Sequence, residues 1–278
     1  LGWYNRANLA PENVLQWVKT SVVGLGVGDG FPKTFSGSTV EPENFLSEGK
    51  NVVFASDTPL TVCNSTGKEL LDSQHSYADP AVCASGVRVL LYNLGGQEAS
   101  IDTVGGGTVK LSVGQSVLGA AMAANGRSAV VSAADGYCGM LTAYDASGKV
   151  LSYYWFSDYY PTAVALSPDG TKAAVTGVSA KDGALVSAVY LISLGSGKTV
   201  QPAAVCASDM LGDVRWDTER TVVAVGSTGA VFLDALSGAK KEYGFGGMKA
   251  TAWCADGGRL AVGLTPYEGS RNQRFVVL

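Results

Sequence analysis

The sequence predicts an all-β protein assembled from repeats of one four-stranded unit, and three observations carry the prediction. The stretch Val164-Ala165-Leu166-Ser167-Pro168-Asp169-Gly170-Thr171-Lys172-Ala173-Ala174-Val175 is two apolar runs around a Ser-Pro-Asp-Gly turn, the pattern of two short antiparallel strands. Five other places in the chain are copies of it. The composition agrees: 36 glycines and 16% charged residues among 278 suit short strands with glycine turns better than helices, whose interiors glycine weakens. In the turn itself, proline presets φ, aspartate bonds its own backbone, and glycine takes positive φ without a Cβ clash.

Residues 1–29 read as a linker followed by one short amphipathic helix, and residues 30–278 as the repeat domain. Leu1 to Ala10 show no period. Pro11-Glu12 suits a first helical turn, Val14, Leu15, Val18 and Val22 recur at helical spacing, and Gly24, Gly26, Gly28 and Gly30 end the pattern. A helix of about three turns is unstable alone and is expected to dock by its apolar face.

The copies follow in order. Leu46-Ser47-Glu48-Gly49 leads into Asn51-Val52-Val53-Phe54. Ala81-Val82-Cys83-Ala84-Ser85-Gly86 and Ala121-Met122-Ala123-Ala124-Asn125-Gly126 lead into their own apolar runs. The unit at Gly170 is fourth, Val214-Arg215-Trp216-Asp217-Thr218-Glu219-Arg220 has lost its glycine, and Ala252-Trp253-Cys254-Ala255-Asp256-Gly257 is last. Between copies lies a second turn: Cys63-Asn64-Ser65-Thr66-Gly67-Lys68, Tyr144-Asp145-Ala146-Ser147-Gly148-Lys149, Ser193-Leu194-Gly195-Ser196-Gly197-Lys198 and Asp234-Ala235-Leu236-Ser237-Gly238-Ala239-Lys240. Each repeat is therefore four strands, a to d, the blade of a β-propeller, and the copies number six. The sixth repeat ends with the chain at its third strand, Phe275 to Leu278. Phe31 to Ser36 is expected to be the missing outer strand, closing the ring from the N-terminus and hiding an edge, with Pro32 tolerable on an outer strand.

Charge and cysteine usage bound the function. Twenty Lys and Arg against 24 Asp and Glu give a net charge of −4 and no basic patch for nucleic acid or an anionic membrane. The five cysteines are odd in number and lack C-x-x-C pairing, so five free thiols are expected and no metal site is encoded. No apolar run reaches the roughly 18 residues that span a bilayer. The chain starts at Leu1, as an excised or processed piece would, and an N-terminal anchor preceding it is an expectation.

Leu166-Ser167-Pro168-Asp169-Gly170 entering an apolar strand, and Tyr144-Asp145-x-x-Gly148-Lys149 between strands c and d, resemble WD40-like propeller repeats of the Tol-B and surface-repeat kind over residues 44–278. These motifs are turn chemistry, specific for fold and nearly silent on function. The Pro-Glu-Asn helix followed by Gly28-Asp29-Gly30-Phe31-Pro32 is similar to an uncharacterised family of single-pass membrane proteins in Gram-positive anaerobes. That resemblance implies an extracytoplasmic propeller held by one membrane anchor. No Gly-His or Trp-Asp dipeptide of true WD40 repeats occurs.

Catalytic signatures are sparse. His75, the one histidine, has no Gly-x-Ser-x-Gly elbow beside it, Gly105-Gly106-Gly107 lacks the helix that a phosphate cradle needs, and calcium spacing is absent. What stands out is loop asymmetry: the d–a and b–c loops, which share one face of a propeller, hold the aromatic and acidic residues. Tyr77, Asp79, Asp135, Tyr137, Asp158, Tyr159, Tyr160, Tyr267, Glu268 and Arg271 form the expected ligand-binding set, without metal or cofactor. The reading is a non-enzymatic binding or scaffold module, recognising a protein, a peptide or a cell-wall glycan, and not nucleic acid. The alternative is a carbohydrate-active enzyme drawing paired carboxylates from Asp135, Asp158, Asp209, Asp213 and Glu268.

Overall fold

The computed structural model describes residues 26–37, 39–195, 200–207 and 209–278, and the helix expected from Pro11 lies outside them. Among these residues the chain is 23 strands and a single 3-10 turn, Pro42–Asn44. The strands form six antiparallel sheets, each an up-and-down meander. The first is β1 (Phe45–Glu48), β2 (Asn51–Ala55), β3 (Pro59–Asn64) and β4 (Glu69–Gln74); the second is β5 (Pro80–Ser85), β6 (Arg88–Asn93), β7 (Ala99–Thr103) and β8 (Thr108–Lys110). The third is β9 (Val117–Met122), β10 (Ser128–Ala134), β11 (Tyr137–Tyr144) and β12 (Val150–Phe156); the fourth is β13 (Tyr160–Leu166), β14 (Lys172–Lys181), β15 (Ala184–Ser193) and β16 (Ala204–Ala207). The fifth is β17 (Leu211–Trp216), β18 (Thr221–Gly226), β19 (Gly229–Asp234) and β20 (Lys240–Gly244); the sixth is β21 (Lys249–Asp256), β22 (Arg259–Thr265) and β23 (Arg274–Val277).

The chain divides into two compact units, the boundary running through the third sheet: Thr142–Leu151 belongs with the residues up to Ser132, and Ala133–Leu141 belongs with Ser152–Leu278. In the first unit, Val53, Ala55, Leu60 and Val62 of the first sheet pack on Val82, Val89 and Leu91 of the second. Leu90 and Ile101 on the opposite face of that second sheet pack on Val117, Val130 and Tyr144. Asp102, buried between these layers, accepts hydrogen bonds from Ser73 (3.0 Å), Ser100 (3.1 Å) and Thr108 (2.6 Å), so its carboxylate is satisfied by three hydroxyls. In the second unit, Val222 and Ala224 face the fourth sheet while Val223 and Val225 face the sixth. A strand buried on both faces reads as a continuous apolar run, which is why Thr221-Val222-Val223-Ala224-Val225 shows no alternation.

Two expectations are corrected. The sixth sheet has three strands among the described residues, and Phe31 to Ser36 is not a strand and does not pair with Phe275 to Leu278; β23 pairs with β22 alone. The segment lies instead on the turn between β3 and β4. Gly28 N–H donates to Thr66 Oγ1 (2.9 Å), Gly30 N–H to Thr66 O (3.0 Å), and Lys33 Nζ to Gly67 O (3.2 Å) and Glu69 (2.6 Å). Phe35 then sets its ring edge-on to Phe54, centroids 4.5 Å apart. The two residues entering the segment and the Lys33 side chain thus anchor it to that turn instead of to a ladder. A Cβ on Gly28 would collide with the backbone of Thr66, Gly67 and Lys68, so the glycine is required for the close approach.

The first strand carries the same irregularity in four sheets. A bulge leaves Leu118 of β9, Thr162 of β13, Gly212 of β17 and Thr251 of β21 outside the ladder register. Bulges bend a strand and re-aim its side chains.

Candidate functional site

The third sheet ends on β12, an edge strand with aromatic residues on both faces. Side chains alternate across a strand, and the burial pattern of Val150–Phe156 follows suit. Tyr154 and Phe156 point inward, where they meet Tyr190 with ring centroids 6.2 and 5.3 Å away, and the Tyr154 hydroxyl donates to Val200 O (2.7 Å). Desolvation pushes the Tyr154 and Tyr190 phenols upward, so both stay neutral donors. Tyr153 and Trp155 point outward, 45% and 46% exposed, with rings 5.7 Å apart. Tyr137 from the start of β11 joins them, 51% exposed and 6.3 Å from Trp155.

The following turn lies beside the Tyr154 and Tyr190 face. Cys138 donates from its thiol to Ser157 O (3.3 Å), and burial first, then the Asp158 charge, pushes that thiol up while a hydrogen bond with Tyr160 pulls it back. Tyr160 is 61% exposed and Asp158 is exposed as well. Of the residues expected from sequence, Tyr137 belongs to this outward surface, whereas Asp158 and Tyr160 are exposed at the β12–β13 turn beside Cys138, whose side chain alternates to the other face of the sheet. Tyr159 is edge-on to Tyr190 at 6.1 Å.

The remaining expected residues lie elsewhere. Tyr77 is half-buried against the core of the first two sheets, beside His75, and burial pushes its phenol up despite a hydrogen bond with Ser100. Asp79 is exposed, its backbone N–H tied to Asn93 (3.0 Å). Asp135 is exposed in the β10–β11 turn. Tyr267, Glu268 and Arg271 are exposed on the β22–β23 loop, whose backbone is braced by Thr265 Oγ1 on Tyr267 O (2.7 Å) and by Ser270 N–H on the same carbonyl (3.1 Å). Tyr153 and Trp155, absent from the sequence-based set, sit within a strand and not a loop; their signal in the sequence is the alternation of large residues on an outermost strand.

The acids drawn on for paired-carboxylate chemistry behave differently from one another. Asp209, between β16 and β17, ties that loop to the β18–β19 turn: its carboxylate accepts from Met210 N–H (2.9 Å), Ser227 Oγ (2.9 Å) and Thr228 N–H (3.3 Å). Asp213 accepts from Val214 N–H (2.7 Å) and from the indole of Trp253, and burial pushes its carboxyl above the ordinary range against both bonds and the Arg215 charge. Among the described residues no group of three His, Cys, Asp or Glu is placed to hold a metal ion, and no helix is long and apolar enough to cross a membrane. The five cysteines are all free.

Repeated up-and-down sheets of this kind define a β-propeller fold, and comparison with solved structures agrees. The chain is similar to hydrazine synthase of Kuenenia stuttgartiensis, at 13% identity over 84% of this chain and 80% of that one, with a TM-score of 0.60. It is also similar to Hsv2p of Kluyveromyces lactis, at 10% identity over 76% and 75% of the two chains, with a TM-score of 0.52. At such identities the likeness is one of fold. The chain belongs to a family of unknown function, DUF5711, whose model matches residues 32–243. No curated protein matches the sequence significantly.

Proposed function

We propose that the protein is a non-enzymatic binding or scaffold module, its six sheets the blades of a WD40-like propeller, recognising a protein, a peptide or a cell-wall glycan. The observation that carries this reading is the aromatic surface of Tyr137, Tyr153 and Trp155, three rings in contact and half exposed on an edge strand of a rigid sheet. Rings with polar rims give large contact area at small entropic cost, and inward neighbours Tyr154 and Phe156 hold their backbone in place. Asp158 and Tyr160, exposed at the β12–β13 turn, would offer an acid and a hydroxyl of their own. Asp135, Tyr267, Glu268 and Arg271 would extend recognition along the b–c loops of the second unit. The extracytoplasmic, membrane-anchored placement rests on the resemblance carried by Gly28 to Pro32.

Binding to immobilised cell-wall polysaccharide and to envelope proteins of the source cell tests the reading. Tyr153→Ala with Trp155→Ala is expected to leave the circular dichroism spectrum unchanged and to weaken retention by about 2 kcal/mol, the size of a hot spot. Equal retention of the parent and the double variant overturns it.

A further inference from the structure

The bulge series places a cleft in the fifth sheet. In the fourth sheet the bulge residue is Thr162, whose hydroxyl donates to Leu211 O of the next sheet (2.8 Å) and contacts Thr176 Oγ1 (2.9 Å). The equivalent residue of the fifth sheet is Gly212, and a Cβ built there meets nothing within 4 Å. Where a side chain bridges one pair of sheets, the next pair has an opening. It is a cleft of about 370 Å³, lined by Met210, Asp213, Val225, Ala250, Ala252 and Trp253 together with small or polar neighbours. That volume sits at the low end for small-molecule sites, roughly 300–1,000 Å³.

We propose that this cleft binds a primary alkylammonium group, the ammonium on the Asp213 carboxylate and the aliphatic stem along Trp253, Val225 and Ala252. Asp213 is the one charged residue in the lining, so the cleft selects a cation. An indole adds attraction for the same charge. The carboxylate already accepts from Val214 N–H and the Trp253 indole, which leaves room for a compact single donor and not for the two-pronged fork of a guanidinium. The apolar walls fit a stem of methylenes. This site is separate from the aromatic surface of β12 and does not depend on it.

Calorimetric titration of the whole chain with n-butylammonium, with Nα-acetyl-lysine-N-methylamide and with 1-butanol tests the proposal. At least one cation is expected to bind about tenfold or more tightly than the isosteric alcohol, and Asp213→Asn to lose about tenfold in that affinity. Binding of both cations, or of one, assigns the source to a polypeptide lysine or a free amine. Gly212→Thr, which fills the opening, is expected to abolish binding; if that variant fails to fold, Asp213→Asn and the alcohol decide. The Tyr153→Ala, Trp155→Ala variant is expected to bind the cation as the parent does. No cation binding, equal binding of butanol, or undiminished binding by Asp213→Asn overturns the proposal.

Discussion

At the scale of single residues, one side chain does the same work in the c–d turns of the first, third and fifth sheets. Asn64 Oδ1 accepts the N–H groups of Thr66 and Lys68, Asp145 Oδ1 those of Ser147 and Lys149, and Asp234 Oδ1 those of Leu236 and Ser237, at 2.8–3.0 Å. These backbone bonds, with Arg220 beside it, hold the Asp234 carboxyl down at about 2. His75 behaves oppositely: burial lowers its pKa below the ordinary 6.5, and its Nδ1 accepts from Tyr77 N–H (3.3 Å). Below pH 6.5 the unfolded chain takes up a proton that the folded chain refuses, so stability present above that pH is lost as pH falls through the folded value. Melting curves between pH 7.5 and 5 should show this loss, and His75→Gln should flatten it. Asp213 has a raised pKa, so its folded state is favoured below its unfolded value, 3.8, and that advantage disappears as pH rises through the folded value. Asp213→Asn is accordingly expected to raise the melting temperature at pH 7 while removing the charge in the cleft. Gly28→Ala should cost about 1–3 kcal/mol in denaturant unfolding, because its methyl has only backbone to displace.

At the scale of strands and sheets, the sequence was informative where geometry is enforced locally. Ser167 Oγ, Asp169 and Gly170 with φ +62° make the turn that the repeat motif encodes, and Thr171 and Lys172 N–H groups both reach Ser167 Oγ (3.2 and 2.9 Å). Every such turn is therefore readable. Which strand lies outermost is readable too, but what its outward face meets is not: Tyr153 and Trp155 follow the same alternation as Tyr154 and Phe156 and differ only in tertiary surroundings. The bulges are not legible in the sequence, since Leu118, Thr162, Gly212 and Thr251 share no side-chain type. Gly212→Thr adds a side chain where nothing lies within 4 Å of its Cβ, so unlike Thr162 it should gain no bridge to the next sheet, and its unfolding free energy in denaturant should stay within about 0.5 kcal/mol of the parent.

At the scale of the whole molecule, apolar packing between sheets dominates: the salt bridges Lys33–Glu69, Arg220–Asp234 and Lys240–Glu242 are all partly exposed and contribute little. The thiols add no cross-links. Burial holds Cys83 up at about 12 and Cys206 at about 11, so both resist alkylation in the folded state, while denatured protein should take five equivalents of alkylating reagent by mass spectrometry. The N-terminal segment is a second surface layer. Deleting residues through Phe35 removes the Phe54 contact and the Thr66 bonds and is expected to lower the melting temperature by a few degrees, at about 2–4 °C per kcal/mol. Its stabilising role comes from docking on the β3–β4 turn and not from pairing with β23. The alternation along β12 also equips the molecule with optics. Trp155 stands half in water, Trp253 lines the cleft, and Trp216 is buried. Emission from Trp155 should lie to the red and yield to acrylamide, Trp216 should emit to the blue and be shielded, and a molecule entering the cleft should announce itself through Trp253. Each surface thus carries its own lamp, and occupancy of one can be followed while the other stays dark.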